Sequence, residues 1–398
     1  PKDFGIYMVF LSSAYLVGGI AVFGTDGVMV REIAKDWKNK NNSYLMALGR
    51  WGMSRVFIMS IIGALLLTIW LIIDGINLGT PRLEIYIAVF LLVPSSASVI
   101  IIASFLNGMG NDLATQAINS PIRSGLLLIG VAALFLLNIQ HQISHILTIQ
   151  IGTFILTSMA GWYWIRTKNN GPALLEYFKN DANKTISTNE NIKKWRVSSW
   201  HFFIGTAGTL VLNKADIILV SVLSEATTAG FYGAAVRVGQ IASIVGYAGL
   251  FWLQPKIVNN IHNKKKKALL LSLKQGSILI GCSTLFFCTI VYFSADYIVS
   301  FLGPGFQISA TPLRWISFGY VIWAMTLPLY ALLLMSGAEA TVASILWTQV
   351  IVNIGLIFIL VPVYGVNGAS WAWVGGMTST SILTAWYGYQ QLKRILND

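Results

Sequence analysis

The stretch VFIMSIIGALLLTIWLII, Val56–Ile73, decides the fold class. None of its residues is charged, and it shows neither the alternation of a half-buried strand nor the apolar stripe of a surface helix. About 18 or more such residues in a row are read as a membrane-spanning helix, because at about 1.5 Å per residue they match the hydrocarbon core of a bilayer. Lipid offers no water to a backbone amide, so the segment has to satisfy its own hydrogen bonds, and a helix does this within one segment.

Working outward from this run, the sequence predicts spans at about 5–24, 52–73, 84–106, 122–138, 145–166, 199–222, 229–254, 269–292, 309–335, 341–362 and 369–390. The composition agrees: 55% of the 398 residues are apolar and only 11% are charged, where a soluble domain carries about 25% charge. No soluble domain of useful size is left between the spans, the longest polar stretch being 167–197. Cys282 and Cys288 lie in one apolar run and read as packing residues rather than as metal ligands or a disulfide framework. His141 and His145 are spaced i,i+4 but lack the Glu of a zinc protease motif and a third ligand. The sequence therefore calls for no metal and no cofactor.

A net charge of +12 would suit a nucleic-acid partner, but the basic residues sort by side of the membrane instead. With the connection 25–51 placed in the cytoplasm, the inside regions hold 20 of the 27 Lys and Arg, the outside regions hold three (Lys2, Arg82 and Arg314), and four (Arg55, Lys214, Arg237 and Lys274) fall within spans. The positive-inside rule accounts for such a split, and the run Lys264–Lys267 meets anionic headgroups.

Two patterns recur at nearly one offset. Gly5-Ile6-Tyr7 and Gly230-Phe231-Tyr232 are 225 residues apart, Gly110-Asn111-Asp112 and Gly337-Ala338-Glu339 are 227 apart, and Gly24 pairs with Gly249. In order and on one side, they predict two parallel halves. The second half has six spans and the first has five, so the expectation is a chain short of one N-terminal helix of a twelve-span protein, a natural eleven-span protein being the alternative. The predicted organisation is a five-span N-terminal bundle over 1–166, a cytoplasmic linker over 167–198 and a six-span C-terminal bundle over 199–398.

Several stretches carry a family resemblance. Leu212-Asn213-Lys214-Ala215-Asp216 sits in a span and is followed by the run from Ala229 through Gly233 to Arg237. Pro255 closes the next span, the run from Val361 through Gly365 to Ala369 precedes the last, and Asp3-Phe4-Gly5-Ile6-Tyr7 opens the first. With these features the chain resembles the Wzx-type polysaccharide and O-antigen flippases of the multidrug/oligosaccharidyl-lipid/polysaccharide (MOP) exporter superfamily. The resemblance implies an all-α polytopic membrane protein of MATE-like architecture, with two six-helix bundles around a cavity that opens alternately to each side. It also implies an undecaprenyl-diphosphate-linked oligosaccharide as cargo, flipped toward the periplasm across a bacterial inner membrane.

Ionisable residues inside a membrane are costly and are functional candidates by default. Asp216 lies ten residues before the turn near 226 and Arg237 eleven after it, so in an antiparallel hairpin the two reach one depth and can pair. Such a pair either pins two helices or acts as a gated, proton-linked site. Lys214, two residues from Asp216, points roughly 200° away around the helix. Asn213 and Thr209 share a polar stripe with Asp216, and Arg237 continues to Gln240 and Tyr247. Lys214, Arg237 and Arg55 make a cationic cavity suited to a diphosphate, because Arg and Lys give phosphate strong charge-assisted hydrogen bonds. Arg55 either contributes at the cytoplasmic mouth or snorkels to the interface, and Trp315, Tyr320 and Trp323 are candidates to stack on sugar rings.

Three functions follow. The first is a flippase of lipid-linked glycan, with membrane lipids, H+ or Na+ and a polysaccharide polymerase as partners. The second is a cation or drug antiporter of the same superfamily, which would need unpaired acids in its spans. The third is a membrane polymerase or ligase, which would need a large outer loop bearing catalytic groups. A lipid II flippase is a close variant of the first. Asp216 is the clear intramembrane acid against Lys214 and Arg237, which favours anionic cargo.

Overall fold

The computed structural model describes residues 1–36, 42–78, 83–137, 143–167 and 189–397. Lys38, Lys40, Arg82, His141 and most of the connection 167–198 lie outside them. The described elements are helical throughout, and ten helices are long and apolar enough to cross a membrane.

The tenth, Glu339–Asn397, is 59 residues long and non-helical at Gly365 (φ 55°, ψ −127°). Across this bend Gln349 Nε2 lies 3.4 Å from Met377 Sδ, and Leu356 and Asn353 pack against Gly375 and Gly376. The two legs therefore run antiparallel and supply the two spans expected at 341–362 and 369–390. Pro362, just before the bend, lacks the N–H that a continuing helix would use. Nine helices and this hairpin make eleven spans among the described residues.

Packing gathers the chain into two compact units, Phe10–Leu210 and Val211–Asp398 with Pro1–Val9. The chain passes from one to the other inside the continuous helices Lys2–Val22 and Asn189–Leu223.

The core of the Val211–Asp398 unit gathers Tyr232, Ile217, Ala235, Ile316, Tyr320 and Trp373. Pro1–Val9 joins it at the glycines that the repeat pairs. A Cβ on Gly5 would lie 1.7 Å from the carbonyl oxygen of Ala226, and one on Gly230 would lie 3.0 Å from Gly5 Cα. Only glycine allows two helices to cross this closely. Phe306 closes over the crossing, edge-on to Phe4 at 5.7 Å and to Phe231 at 6.1 Å.

In the Phe10–Leu210 unit, Leu83–Gly108 is the central helix and is buried along most of its length. The first span ends abruptly at Phe23 (φ 48°) and Gly24 (φ 69°), and a new helix, Thr25–Asp36, begins at once. Gly24 is required twice over: its φ is left-handed, and a Cβ there would lie 2.1 Å from the carbonyl oxygen of Ser199. Phe23 is one of two described non-glycine residues with positive φ. This conformation is costly for a bulky side chain, and it aims the Phe23 ring at Arg55.

Candidate functional site

The Phe10–Leu210 unit holds two arginines in aromatic settings. The guanidinium carbon of Arg55 lies 5.2 Å from the ring centroids of both Phe23 and Trp51. Its Nη1 is buried and has no hydrogen-bond partner among the described residues. Another cation, Arg196, acts on it as a charge. Arg123, in the span Asp112–Leu136, lies 5.5 Å from the ring of Tyr15 and 5.6 Å from that of Phe154. Neither arginine has a described carboxylate within ion-pair distance. An aromatic face attracts a guanidinium without cancelling its charge, and no described acid cancels it either.

A network next to Arg55 holds its surroundings in place. Trp195, buried, packs tilted against Trp51 at 5.4 Å, and its indole N–H donates to Tyr44 Oη at 3.0 Å. The Tyr44 hydroxyl donates to Glu32 Oε2 at 3.0 Å. Arg31 Nε donates to Glu32 Oε1 at 2.7 Å, and its Nη2 donates to Ser198 Oγ at 2.9 Å. Burial tends to raise the Glu32 carboxyl, but hydrogen bonds from Arg31 and Tyr44 and the charges of Arg31 and Lys35 outweigh it and hold the group below the usual carboxylate range. Asp26, at the start of the same helix, goes the other way: burial pushes its carboxyl up, against the backbone N–H groups of Gly27 and Asp26 itself.

In the Val211–Asp398 unit Asp216 is 5% exposed. Its Oδ1 accepts from the Ile217 N–H and its Oδ2 from the Tyr232 hydroxyl, both at 2.8 Å. The expected pair with Arg237 is not formed. The first helix of the hairpin ends at Leu223 and the second begins at Ala226, so the turn centres between Ser224 and Glu225 rather than near 226. The residue opposite Asp216 is then close to Tyr232, and Arg237 lies more than a turn farther along, about 1.5 Å per residue. Arg237 and Gln240 are exposed, as is Asn213, and Lys214 is half-buried. Lys214 and Arg237 act on Asp216 as nearby charges, but Arg237 makes no hydrogen bond or ion pair with a described residue.

Of the three aromatic candidates, Tyr320 is buried and packs at 4.8 Å from Trp373, which makes it a core residue. Trp323 meets Tyr247 at 5.4 Å, and Trp315, 40% exposed, stands edge-on to Trp371 at 6.1 Å. Sequence reasoning singled out Arg55 but missed Phe23, Arg123 and Tyr232. In-span position could have flagged Arg123; nothing local marks the other two.

A family model described as "Polysaccharide biosynthesis protein" matches residues 1–248. Among solved structures, an inward-facing multidrug resistance MATE family transporter of the MOP superfamily is similar over 100% of this chain and 96% of its own, at 12% identity and a TM-score of 0.76. An outward-facing MATE family transporter is similar over 100% and 89%, at 13% identity and a TM-score of 0.58. A mutant of a Vibrio cholerae MATE transporter is similar over 98% and 86%, at 14% identity and a TM-score of 0.58. At these identities the likeness shows the fold alone. No curated protein matches the chain.

Proposed function

The chain belongs to the polysaccharide biosynthesis protein family and has the fold of MATE transporters, and from that premise we propose that it flips undecaprenyl-diphosphate-linked oligosaccharide from the cytoplasmic to the periplasmic leaflet of a bacterial inner membrane. The observation that carries this reading is the state of the in-span arginines. Arg55 and Arg123 are held by aromatic rings, Arg237 by no described partner, and none by an acid. Unneutralised guanidinium groups in a membrane fit an anionic cargo, and their planar donor edges match phosphate oxygens. A site for organic cations would present acids instead.

In this mechanism the diphosphate docks on the in-span cations Arg55 and Arg123 of the Phe10–Leu210 unit; in the Val211–Asp398 unit Lys214 and Arg237 are the cationic candidates and Asn213 and Gln240 the neutral polar ones. The polyprenyl tail stays in lipid, two bundles open alternately, and the head is released outside. No bond is made or broken, so the protein acts as a transporter and not as an enzyme. A proton or sodium gradient drives the cycle through Asp216, and a polysaccharide polymerase receives the product.

The test is expression in cells lacking their own repeat-unit flippase, with surface polymer as the readout. Restored polymer that is lost in Arg55→Ala supports the reading. The fold is shared with multidrug transporters, so efflux of organic cations is measured in parallel. Gradient-driven cation efflux without restored polymer would replace the flippase by an antiporter.

A further inference from the structure

Ile241–His262 is two-faced. Leu250, Leu253 and Ile257 are buried in a core shared with Leu269, Leu273 and Leu327. The opposite face carries Phe251, Gln254, Pro255, Val258, Asn259 and His262, which with Met335 line a groove of about 570 Å³ within the Val211–Asp398 unit. That volume is in the range of small-molecule sites, about 300–1,000 Å³.

We propose that this groove binds the sugar rings of the cargo, an inference that rests on glycan-lipid being what is moved. A sugar ring presents an apolar C–H face and a rim of hydroxyls, and the groove offers both complements. Phe251 is 71% exposed, a large aromatic face with no ring packed over it among the described residues. Gln254 and His262 make no hydrogen bond with a described residue, so the Gln254 amide can both donate and accept. Asn263 Nδ2 donates to Asn259 Oδ1 at 2.7 Å, which fixes the Asn259 amide and leaves its own N–H groups free to donate. Pro255 has no N–H, so the carbonyl of Phe251 loses its i+4 helical donor. Lys256 sits beside this face with its Nζ 3.5 Å from the Trp252 ring centroid, a cation held in place on the same helix. The positive run Lys264–Lys267 follows directly. The C-terminal half of the helix therefore offers stacking and neutral hydrogen bonding, with positive charge following it in the chain.

The experiment uses the full-length protein in lipid nanodiscs and two probes: glycan-bearing undecaprenyl diphosphate extracted from the polymer-producing cells that supply the gene, and undecaprenyl diphosphate without sugar. Binding is read by native mass spectrometry. The wild type is expected to prefer the glycan-bearing lipid. Phe251→Ala, and Gln254→Ala with Asn259→Ala, are expected to weaken that lipid tenfold or more and to leave the sugar-free lipid unchanged. Phe251→Trp, which keeps a stacking face, is expected to retain binding. All of these positions face away from the core, so thermal unfolding should not move. Unchanged binding of the glycan-bearing lipid in the variants, with the wild-type preference intact, overturns the groove and leaves the flippase reading standing. An equal loss for both lipids overturns it in favour of a lipid contact. A wild type without any preference for the glycan overturns both.

Discussion

Arg55 and Asp216 are both ionisable groups in membrane spans, and they are treated in opposite ways. Asp216 is buried, and each of its carboxylate oxygens accepts a hydrogen bond at 2.8 Å. Arg55 is only partly covered, yet its buried Nη1 has no described partner, and its support comes from two rings 5.2 Å away. Buried polar groups are nearly always satisfied, and an exception calls for an explanation. Asp216 is a group whose needs the fold meets in this state. Arg55 is held in position with donors left over, which is the arrangement expected of a residue that waits for a ligand.

The strongest way to break this contrast is Arg55→Ala. We expect surface polymer to fall by roughly two orders of magnitude, on the scale of one or two charge-assisted hydrogen bonds at about 1.4 kcal/mol per tenfold, with little change in thermal unfolding. Arg55→Lys should rescue little, because an ammonium neither stacks between Phe23 and Trp51 nor presents a planar fork. If Arg55→Ala transports normally, the uncommitted donor is an accident of the surface.

Asp216 should answer in the opposite order. Tyr232→Phe removes the hydroxyl that serves Oδ2 in the core of its unit, and leaving a buried acceptor unmet costs about 1–3 kcal/mol. We expect a lower unfolding temperature in detergent as the main effect. Asp216→Asn keeps an oxygen that can accept from Tyr232 or Ile217, so it should fold. If the carboxylate carries the coupling proton, transport by this variant should lose its dependence on the proton gradient. A dependence identical to wild type would reduce Asp216 to a packing role.

The contrast was only half legible in the sequence. Charge sparsity and runs such as Val56–Ile73 placed the spans, since backbone satisfaction in lipid leaves few alternatives. The hairpin at Gly365 was also readable from the break between two apolar runs. Depth within a hairpin was harder, because it depends on the turn centre. The true turn, between Leu223 and Ala226, starts earlier than the sequence suggested, and that small shift exchanged Arg237 for Tyr232 as the neighbour of Asp216. The setting of Arg55 was less accessible still. Trp51 stands one turn before Arg55 on the same helix and was within reach of i,i+4 spacing, but Phe23 meets Arg55 from the turn after the first span, through a positive φ, and Trp195 packs on Trp51 from a third helix. No local periodicity encodes a contact of that kind.

The smallest expected effect sharpens the comparison close to Arg55 itself. Asp26 starts the helix that follows the Phe23–Gly24 break, and burial raises its carboxyl above the ordinary range. A raised folded-state pKa means that the folded protein holds this proton more tightly than the unfolded chain does. Stability attributable to Asp26 therefore falls as the pH rises from the ordinary carboxylate range through the raised value, and at neutral pH the ionised group works against folding. Asp26→Asn removes that charge, so it should raise the unfolding temperature modestly at pH 7, and the gain should vanish at a pH low enough to protonate Asp26 in both states. Glu32, held below its usual range two turns along the same helix, supplies the internal control. Its contribution is present at neutral pH and is lost on acidification, so Glu32→Gln should destabilise at pH 7, with the difference narrowing as the pH falls. Two carboxylates on one short helix with opposite pH signatures would show that burial, which outweighs its two backbone N–H donors, sets the sign at Asp26. Parallel behaviour of the two variants would mean that Asp26 finds a charged partner in solution, and Arg55, which packs on Phe23 three residues before Asp26, would be the first to examine by the double variant.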